Sequence, residues 1–276
     1  MEKGKVYKMC ASTISAAGCY FKMDEYLEKI LVPKELLEGE IVIGEEYNVF
    51  IYGDKDGRVI GSMKMPKILN GKAEKLEVVS VTKVGAYLNW GLPDDLFILD
   101  RNMTKYVEEG DSCYVMLTED RYGRTCATMK IGSMLKEERG VFRSGDKVKG
   151  VVYDFNEDIG AFVAVEGMYS GLVPKNHLYG RFEIGNEIEF RVVFVKEDGK
   201  IDLTTREPVY MEIEKDAEKI YNFIRINGGS VSLNDESSPE EIKSSIGISK
   251  KAFKRAVGKL MKEKKIEQTT KGMKII

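Results

Sequence analysis

One histidine, His177, and one tryptophan, Trp90, serve all 276 residues. A chain so poor in histidine offers little to proton-transfer catalysis near neutral pH. Its four cysteines, Cys10, Cys19, Cys113 and Cys126, form no C-x-x-C pair and have no histidine cluster beside them. Reduced core thiols of a cytoplasmic protein are therefore expected, in place of metal ligands. Neither a G-x-x-x-x-G-K-[ST] nor a G-x-G-x-x-G phosphate cradle occurs. The longest apolar runs span a few residues, far short of a membrane crossing. The N-terminal stretch "MCASTISAAGCYF" faintly echoes a signal peptide. The same residues align with later repeats, so cleavage there would destroy a domain, and that reading is rejected. No cofactor, no metal and no membrane association is expected.

What is present is ordinary in amount and unusual in arrangement. A hydrophobic share of 43 % and a charged share of 32 % suit a globular chain of two to four domains. Net charge is only −2, yet from Ser249 to Ile276 ten Lys/Arg face only Glu263 and Glu267, a net of +8. The other 248 residues must then carry about −10. A basic end on an acidic body points to a polyanion contact concentrated there.

Three glycines begin a repeat. "AGCYF", "VGAYL" and "IGAFV" align on Gly18, Gly85 and Gly160. A second glycine follows at Gly44, Gly110 and Gly185, each opening an alternating strand. A third, at Gly57, Gly123 and Gly199, precedes a cation: Arg58, Arg124 and Lys200. Between the first and second markers, "ILVPKEL", "LFILDRN" and "GLVPKNH" fall in register, so three tandem copies are expected. Each copy reads as about five short strands closed by tight hairpins, a size that suits a small OB-type β-barrel. The first glycine fits a strand bend or bulge. The aromatic after it, Tyr20, Tyr87 or Phe162, is open to two readings: a platform for a nucleic-acid base, or barrel core. Trp90 is read as packing between domains in preference to stacking.

From Glu212 the period changes to helical, with Ala217, Ile220, Tyr221 and Ile224 as one stripe. "SPEE", Ser238–Glu241, is a capping box with proline in the first turn, and Gly247 ends that helix. Ser249 caps a third helix whose buried stripe is Ala252, Phe253, Ala256, Val257, Leu260 and Met261. A hairpin turning at Lys271-Gly272 follows, so the segment reads as a winged helix. Lys251, Arg255, Lys259 and Lys262 share one face of the third helix, and Lys250 and Lys254 add to its charge. With no compensating acids in the last two turns, that face is expected to meet nucleic acid.

The expected fold is mainly β with an α-rich end: barrels at 1–68, 69–133 and 134–209, then a winged-helix domain at 210–276. The third repeat, from "GDKVKGVVYDF" to "KEDGKIDLTTRE", resembles an S1 RNA-binding domain. The resemblance implies base stacking by Phe162, Tyr87 and Tyr20. It further implies polar contacts from Arg58, Asp120, Arg124, Lys200, Lys175 and His177, with Asp54 matching in the first copy. There are departures: the family's second aromatic is Ala17, Val84 or Ile159, its histidine position falls on Pro33, Asp100 or Pro174, and Lys196 replaces an aspartate. The whole chain, with "GAYLNWGLP" its most specific piece, resembles the conserved virulence factor B family of bacterial proteins. That family is regarded as RNA-binding and regulatory, which implies a binder of single-stranded RNA acting after transcription.

Three other roles stay open. A DNA-binding transcription factor would use the winged helix, although the third helix holds no Asn or Gln to read adenine edges. The winged helix would otherwise dock a protein assembly such as the ribosome. An RNA-processing enzyme would need convergent carboxylates. Asp94, Asp95 and Asp100 are the nearest set, and they read as exposed turn residues, as His177 reads as a loop or groove residue.

Overall fold

The computed structural model describes residues 1–23, 26–178, 183–206 and 209–276, with only the backbone of residues 26, 27, 209 and 210. Two compact units make up the chain, Met1–Thr205 and Arg206–Ile276.

The first unit holds three five-stranded sheets, one per repeat. The first comprises β1 (Lys5–Ser15), β2 (Gly18–Met23), β3 (Tyr26–Pro33), β4 (Glu46–Gly53) and β5 (Val59–Ser62). The second comprises β6 (Glu74–Thr82), β7 (Gly85–Asn89), β8 (Leu96–Leu99), β9 (Ser112–Glu119) and β10 (Thr125–Thr128). The third comprises β11 (Lys147–Asn156), β12 (Gly160–Val165), β13 (Tyr169–Pro174), β14 (Glu187–Val195) and β15 (Ile201–Thr204). In each, the long first strand pairs with the fourth along its N-terminal half and with the second along its C-terminal half. Such a strand must curl. A register shift sits at the same place in all three copies, between Ala11 and Thr13, Val78 and Ser80, and Val152 and Asp154. The bulge expected at the repeat glycine therefore lies on the preceding strand, opposite the repeat aromatic Tyr20, Tyr87 or Phe162, while the glycine itself pairs with Ser15, Thr82 or Asn156.

The glycine has a different duty. Gly18, Gly85 and Gly160 face Pro33, Leu99 and Pro174 across the ladder. A Cβ on any of them would collide with the carbonyl oxygen of Val32, Ile98 or Val173. Only glycine lets the two strands approach that closely.

The second and third barrels close through short parallel pairings, Ala127 with Ile98, and Gly171 and Leu172 with Ile201 and Asp202. The first runs β3-β2-β1-β4-β5 with no ladder between its outer strands. Side-chain packing closes that gap: a Cβ at Gly61 of β5 would come within 2.8 Å of Val32 Cγ2 and 3.3 Å of Ile30 Cγ2 on β3.

The first two barrels share one continuous core. Trp90 is 3 % exposed and stands edge-on to Phe50 and Tyr52, with centroids 5.9 and 5.4 Å away. Its indole N–H donates to the Asp94 carbonyl at 2.6 Å, so the ring packs between the two barrels, as its sequence context suggested. Main-chain bonds add to the seam: Lys67 N–H to Trp90 C=O and Asn70 N–H to Gly4 C=O, both 2.7 Å. The third barrel has its own core around Phe190. A smaller cluster of Ala73, Met116, Ile131 and Ala164 joins it to the second. Burial pushes the thiols of Cys113 and Cys126 up to about 11, and all four cysteines are free.

The second unit is α1 (Val209–Ile226), β16 (Ser230–Val231), α2 (Pro239–Ile246), α3 (Lys250–Lys262), β17 (Ile266–Thr269) and β18 (Gly272–Ile275). Helix α1 starts three residues ahead of Glu212. Its Ala217, Ile220 and Ile224 pack on Phe253, Ala256, Val257 and Leu260 of α3. The Ser238–Glu241 capping box is present, with Gly247 left-handed at φ 78° after α2. The Ser249 hydroxyl accepts from Ala252 N–H at the head of α3. Met261 departs from its expected stripe and is exposed. It lies about 100° round the helix from Leu260, past the edge of the apolar face. The short strand β16 completes a three-stranded sheet in the order β16-β18-β17.

Candidate nucleic-acid interface

The hairpin after the fourth strand of each barrel carries the charged repeat residues. In the first, Asp54 accepts from the main-chain N–H of Asp56 and Arg58, both at 2.9 Å, and from Arg58 Nε at 2.9 Å. In the second, Asp120 does the same for Tyr122 and Arg124 N–H at 2.9 and 3.1 Å, and for Arg124 Nε at 2.7 Å. Burial alone would raise the Asp120 carboxyl. The bonds from the Arg124 guanidinium and from two N–H groups outweigh it and hold the carboxyl below the ordinary aspartate range. Both aspartates thus shape the turn and aim the arginine. In the third hairpin, Lys200 instead pairs with Asp198 at 2.8 Å, and Lys196 with the buried Asp202 at 2.8 Å.

The third position of the turn sets the second hairpin apart from both others. Two residues after Asp54 stands Asp56, which takes Arg58 at 2.8 Å and neutralises it further. The equivalent in the second barrel is Tyr122, whose ring lies under Arg121 at 4.7 Å and Arg124 at 5.4 Å. The third barrel again has an acid, Asp198. Only the second hairpin pairs its cation with an aromatic face instead of a second carboxylate.

The aromatics divide along the same line. Tyr87 is 39 % exposed, and its cross-strand partner is Phe97, with ring centroids 4.9 Å apart. Tyr20 and Phe162 are half-buried and face Leu31 and Leu172 instead. Phe162 also has Tyr153 at 6.2 Å, a ring that belongs to the cluster joining the second and third barrels. The register corrects one alignment: opposite Gly85 lies Leu99, so Leu99, and not Asp100, occupies the position of Pro33 and Pro174. Asp100 instead opens the short 3-10 turn Asp100–Asn102. Lys175 and His177 sit in the matching turn of the third barrel, Lys175 exposed and His177 half-buried.

The first two hairpins meet. A Cβ on Gly53 would collide with the Gly123 carbonyl, and one on Gly57 with that of Tyr122. Gly53 N–H donates to Thr125 Oγ1 at 2.8 Å and Lys3 Nζ to the Gly123 carbonyl at 2.6 Å. Beside this junction is a cavity of about 390 Å³, lined by Tyr52 and Lys55 from the first barrel and by Tyr87, Phe97, Asp94 and Arg124 from the second, among others. Among the described residues no group of three or more His, Cys, Asp or Glu side chains could hold a metal.

On α3 the six cations separate into two sets. Lys251, Lys254 and Lys262 are exposed. Lys259 bonds to Glu214 of α1 at 3.0 Å and to Glu263 at 3.2 Å. Arg255 is half-buried, and its charge acts on Glu212 of α1. Lys250 reaches the Glu236 carbonyl at 3.5 Å. The acids missing from α3's own sequence are thus supplied by its neighbour α1. Among the described residues no helix is long and apolar enough to cross a membrane.

Reading the sequence alone missed Phe97, Tyr122 and Lys55. Phe97 hides inside "LFIL", which reads as a buried strand, and only the β7–β8 register puts it beside Tyr87. Tyr122 had a visible signal, because an aromatic replaces the acid of "DKDGR" and "KEDGK" in "DRYGR".

Comparison with known proteins matches residues 4–64 to an S1 domain, 141–206 to the S1 RNA binding domain and 218–275 to the CvfB-like winged helix domain. The second barrel lies between the first two matches. The uncharacterized protein YitL of Bacillus subtilis is 29 % identical over 90 % of this chain and 86 % of its own. Conserved virulence factor B of Staphylococcus saprophyticus is 26 % identical over 85 % and 83 %, and that of Staphylococcus aureus 26 % over 84 % and 80 %. A solved multidomain protein with nucleic acid binding domains from Streptococcus pneumoniae covers 99 % of this chain and 98 % of its own, at 23 % identity and a TM-score of 0.44. The matched domains are nucleic-acid-binding types and not catalytic families. The chain thus carries S1 domains followed by a CvfB-like winged helix domain, and over most of its length it is similar to conserved virulence factor B.

Proposed function

We propose that the chain binds single-stranded RNA without cleaving it, acts in the cytoplasm, and regulates gene expression after transcription. The observation that carries this reading is the pair of exposed Tyr87 and half-buried Phe97 beside Arg124, with Tyr122 under the same guanidinium. Single-stranded binders combine aromatic platforms with cations, and each stacked base is worth about 1–3 kcal/mol. Lys251, Lys254 and Lys262 of α3 support added phosphate contacts. Tyr20, Arg58, Phe162, Lys175, His177 and Lys200 form the weaker sites of the outer barrels. The working domains remain 1–68, 69–133, 134–209 and 210–276.

Binding of labelled single-stranded RNA, single-stranded DNA and duplex DNA at one salt concentration tests the reading. RNA should bind tightest, and labelled RNA kept with the protein and magnesium or manganese should stay intact. A preference for duplex DNA would move the function to the winged helix. Cleavage that disappears on changing Asp94 and Asp95 would make the protein an enzyme.

A further inference from the structure

Tyr52 is an anomaly of the first barrel. The residue is 6 % exposed, and its hydroxyl, unpaired within the protein among the described residues, is the part left open to solvent. Burial raises its pKa, helped by the charges of Asp94, Asp54 and Glu35, so the phenol keeps its proton and stands as a donor. A mostly buried phenol whose hydroxyl stays open offers one fixed donor to a water or a ligand. Tyr52 lines the cavity at the junction of the first two barrels. The carboxylates of Asp94 and Asp95 line it as well, with no hydrogen bond or ion pair among the described residues. The Asp54 carboxylate, by contrast, is fully occupied by its own hairpin.

We propose that this cavity is a guanine-nucleotide site built jointly by the first and second barrels. The cavity of about 390 Å³ lies at the lower end of small-ligand pockets, a size for one nucleotide unit. The Tyr87–Phe97 pair supplies a face for the base. Polar groups at the edge select which base. Guanine alone among the four presents an acceptor, O6, next to two adjacent donors, N1–H and N2–H₂. The Tyr52 hydroxyl donates to the first, and an Asp94 or Asp95 carboxylate accepts from the other two. Uracil offers one donor between two acceptors, while adenine and cytosine put an acceptor where guanine has N1–H. Lys55 and Arg124 balance the two aspartates and meet the phosphate.

The proposal shares Tyr87 and Phe97 with the RNA-binding reading and rests on it for the guanine being part of an RNA. The same chemistry would hold a free guanine nucleotide, and the test separates the two. Trp90, the single tryptophan, lines the same cavity, so its emission reports occupancy in the intact protein. GMP, AMP, CMP and UMP are titrated against the full chain with correction for absorbance. An all-uridine oligomer and one bearing a single guanine are followed in parallel by anisotropy.

The expected result is a saturable change of Trp90 emission with GMP at least about tenfold tighter than with the other three. The guanine-bearing oligomer should exceed the all-uridine one by a similar factor. Tyr52→Phe, which removes one hydroxyl and nothing else, and the pair Asp94→Asn with Asp95→Asn should each lower the guanine-to-uracil affinity ratio about tenfold, the scale of one hydrogen bond. Equal or absent responses to the four mononucleotides, or a guanine preference that survives both variants, overturn the site. If the oligomers bind without guanine preference, the pocket fails and RNA binding stands. If only GMP binds, RNA binding fails and the cavity is a site for free nucleotide.

Discussion

The second and third barrels repeat one topology and set different side chains along the same groove. In the second, Tyr87 faces Phe97 and Arg124 rests on Tyr122. In the third, Phe162 faces Leu172, and Lys200 is spent on Asp198. The first barrel resembles the third in this respect, since Asp56 neutralises Arg58 and Leu31 stands opposite Tyr20. The cross-strand partner and the hairpin's third position set the middle barrel apart and give it the aromatic faces on which the proposed binding rests. A second contrast follows the first. The middle barrel is fused to its N-terminal neighbour through one core, while the third is joined by a small cluster.

The fusion can be broken most severely at Trp90. Trp90→Ala should cost about 3–5 kcal/mol, the usual range for deleting a buried large aromatic. Hydrogen exchange should then rise together in both barrels that flank the ring. Phe190→Ala, of similar severity, should raise exchange only within residues 147–204. Exchange confined to one of the first two barrels in the Trp90 variant would show two separate cores.

The groove contrast is sharpened by alanine at the aromatics. Tyr87→Ala with Phe97→Ala should weaken single-stranded RNA binding by about 2–4 kcal/mol, while Phe162→Ala should cost no more than about 1 kcal/mol. Anisotropy measures both, with circular dichroism to check the fold. Tyr122→Asp converts the middle hairpin to the pattern of its neighbours. It should weaken binding by about 0.5–1 kcal/mol, the value of an exposed cation–aromatic contact.

The smallest effects belong to α3. Replacing Lys251, Lys254 and Lys262 with Gln should lower the slope of log affinity against log salt by about 2, at roughly 0.7 per phosphate on a single strand. Lys259→Gln should leave the slope unchanged, because Glu214 and Glu263 already hold that cation. Parallel lines for the triple variant and wild type would turn the winged helix toward a protein partner.

Much of this architecture is visible in the chain itself, because the repeat writes each constraint three times. Gly18, Gly85 and Gly160 are forced by one carbonyl contact, and the Ser238 and Ser249 caps follow from local chemistry. What stays hidden depends on register or on contacts between distant segments. Phe97 meets Tyr87 only through the pairing of β7 with β8. Lys259 is neutralised by an acid 45 positions earlier in the chain. The meeting of Gly53 and Gly57 with the second hairpin is a relation between two copies, which no pattern within one copy expresses. Trp90 was legible as a packing residue, but the cavity beside it was not.

Ultraviolet crosslinking of a uridine oligomer to the full-length protein, with the attached peptides identified by mass, tests the central claim most directly. Crosslinks should concentrate at Tyr87, Phe97 and Tyr122 and exceed those at Tyr20 and Phe162. Crosslinks confined to the third barrel or to α3, with the middle barrel unmarked, would contradict it.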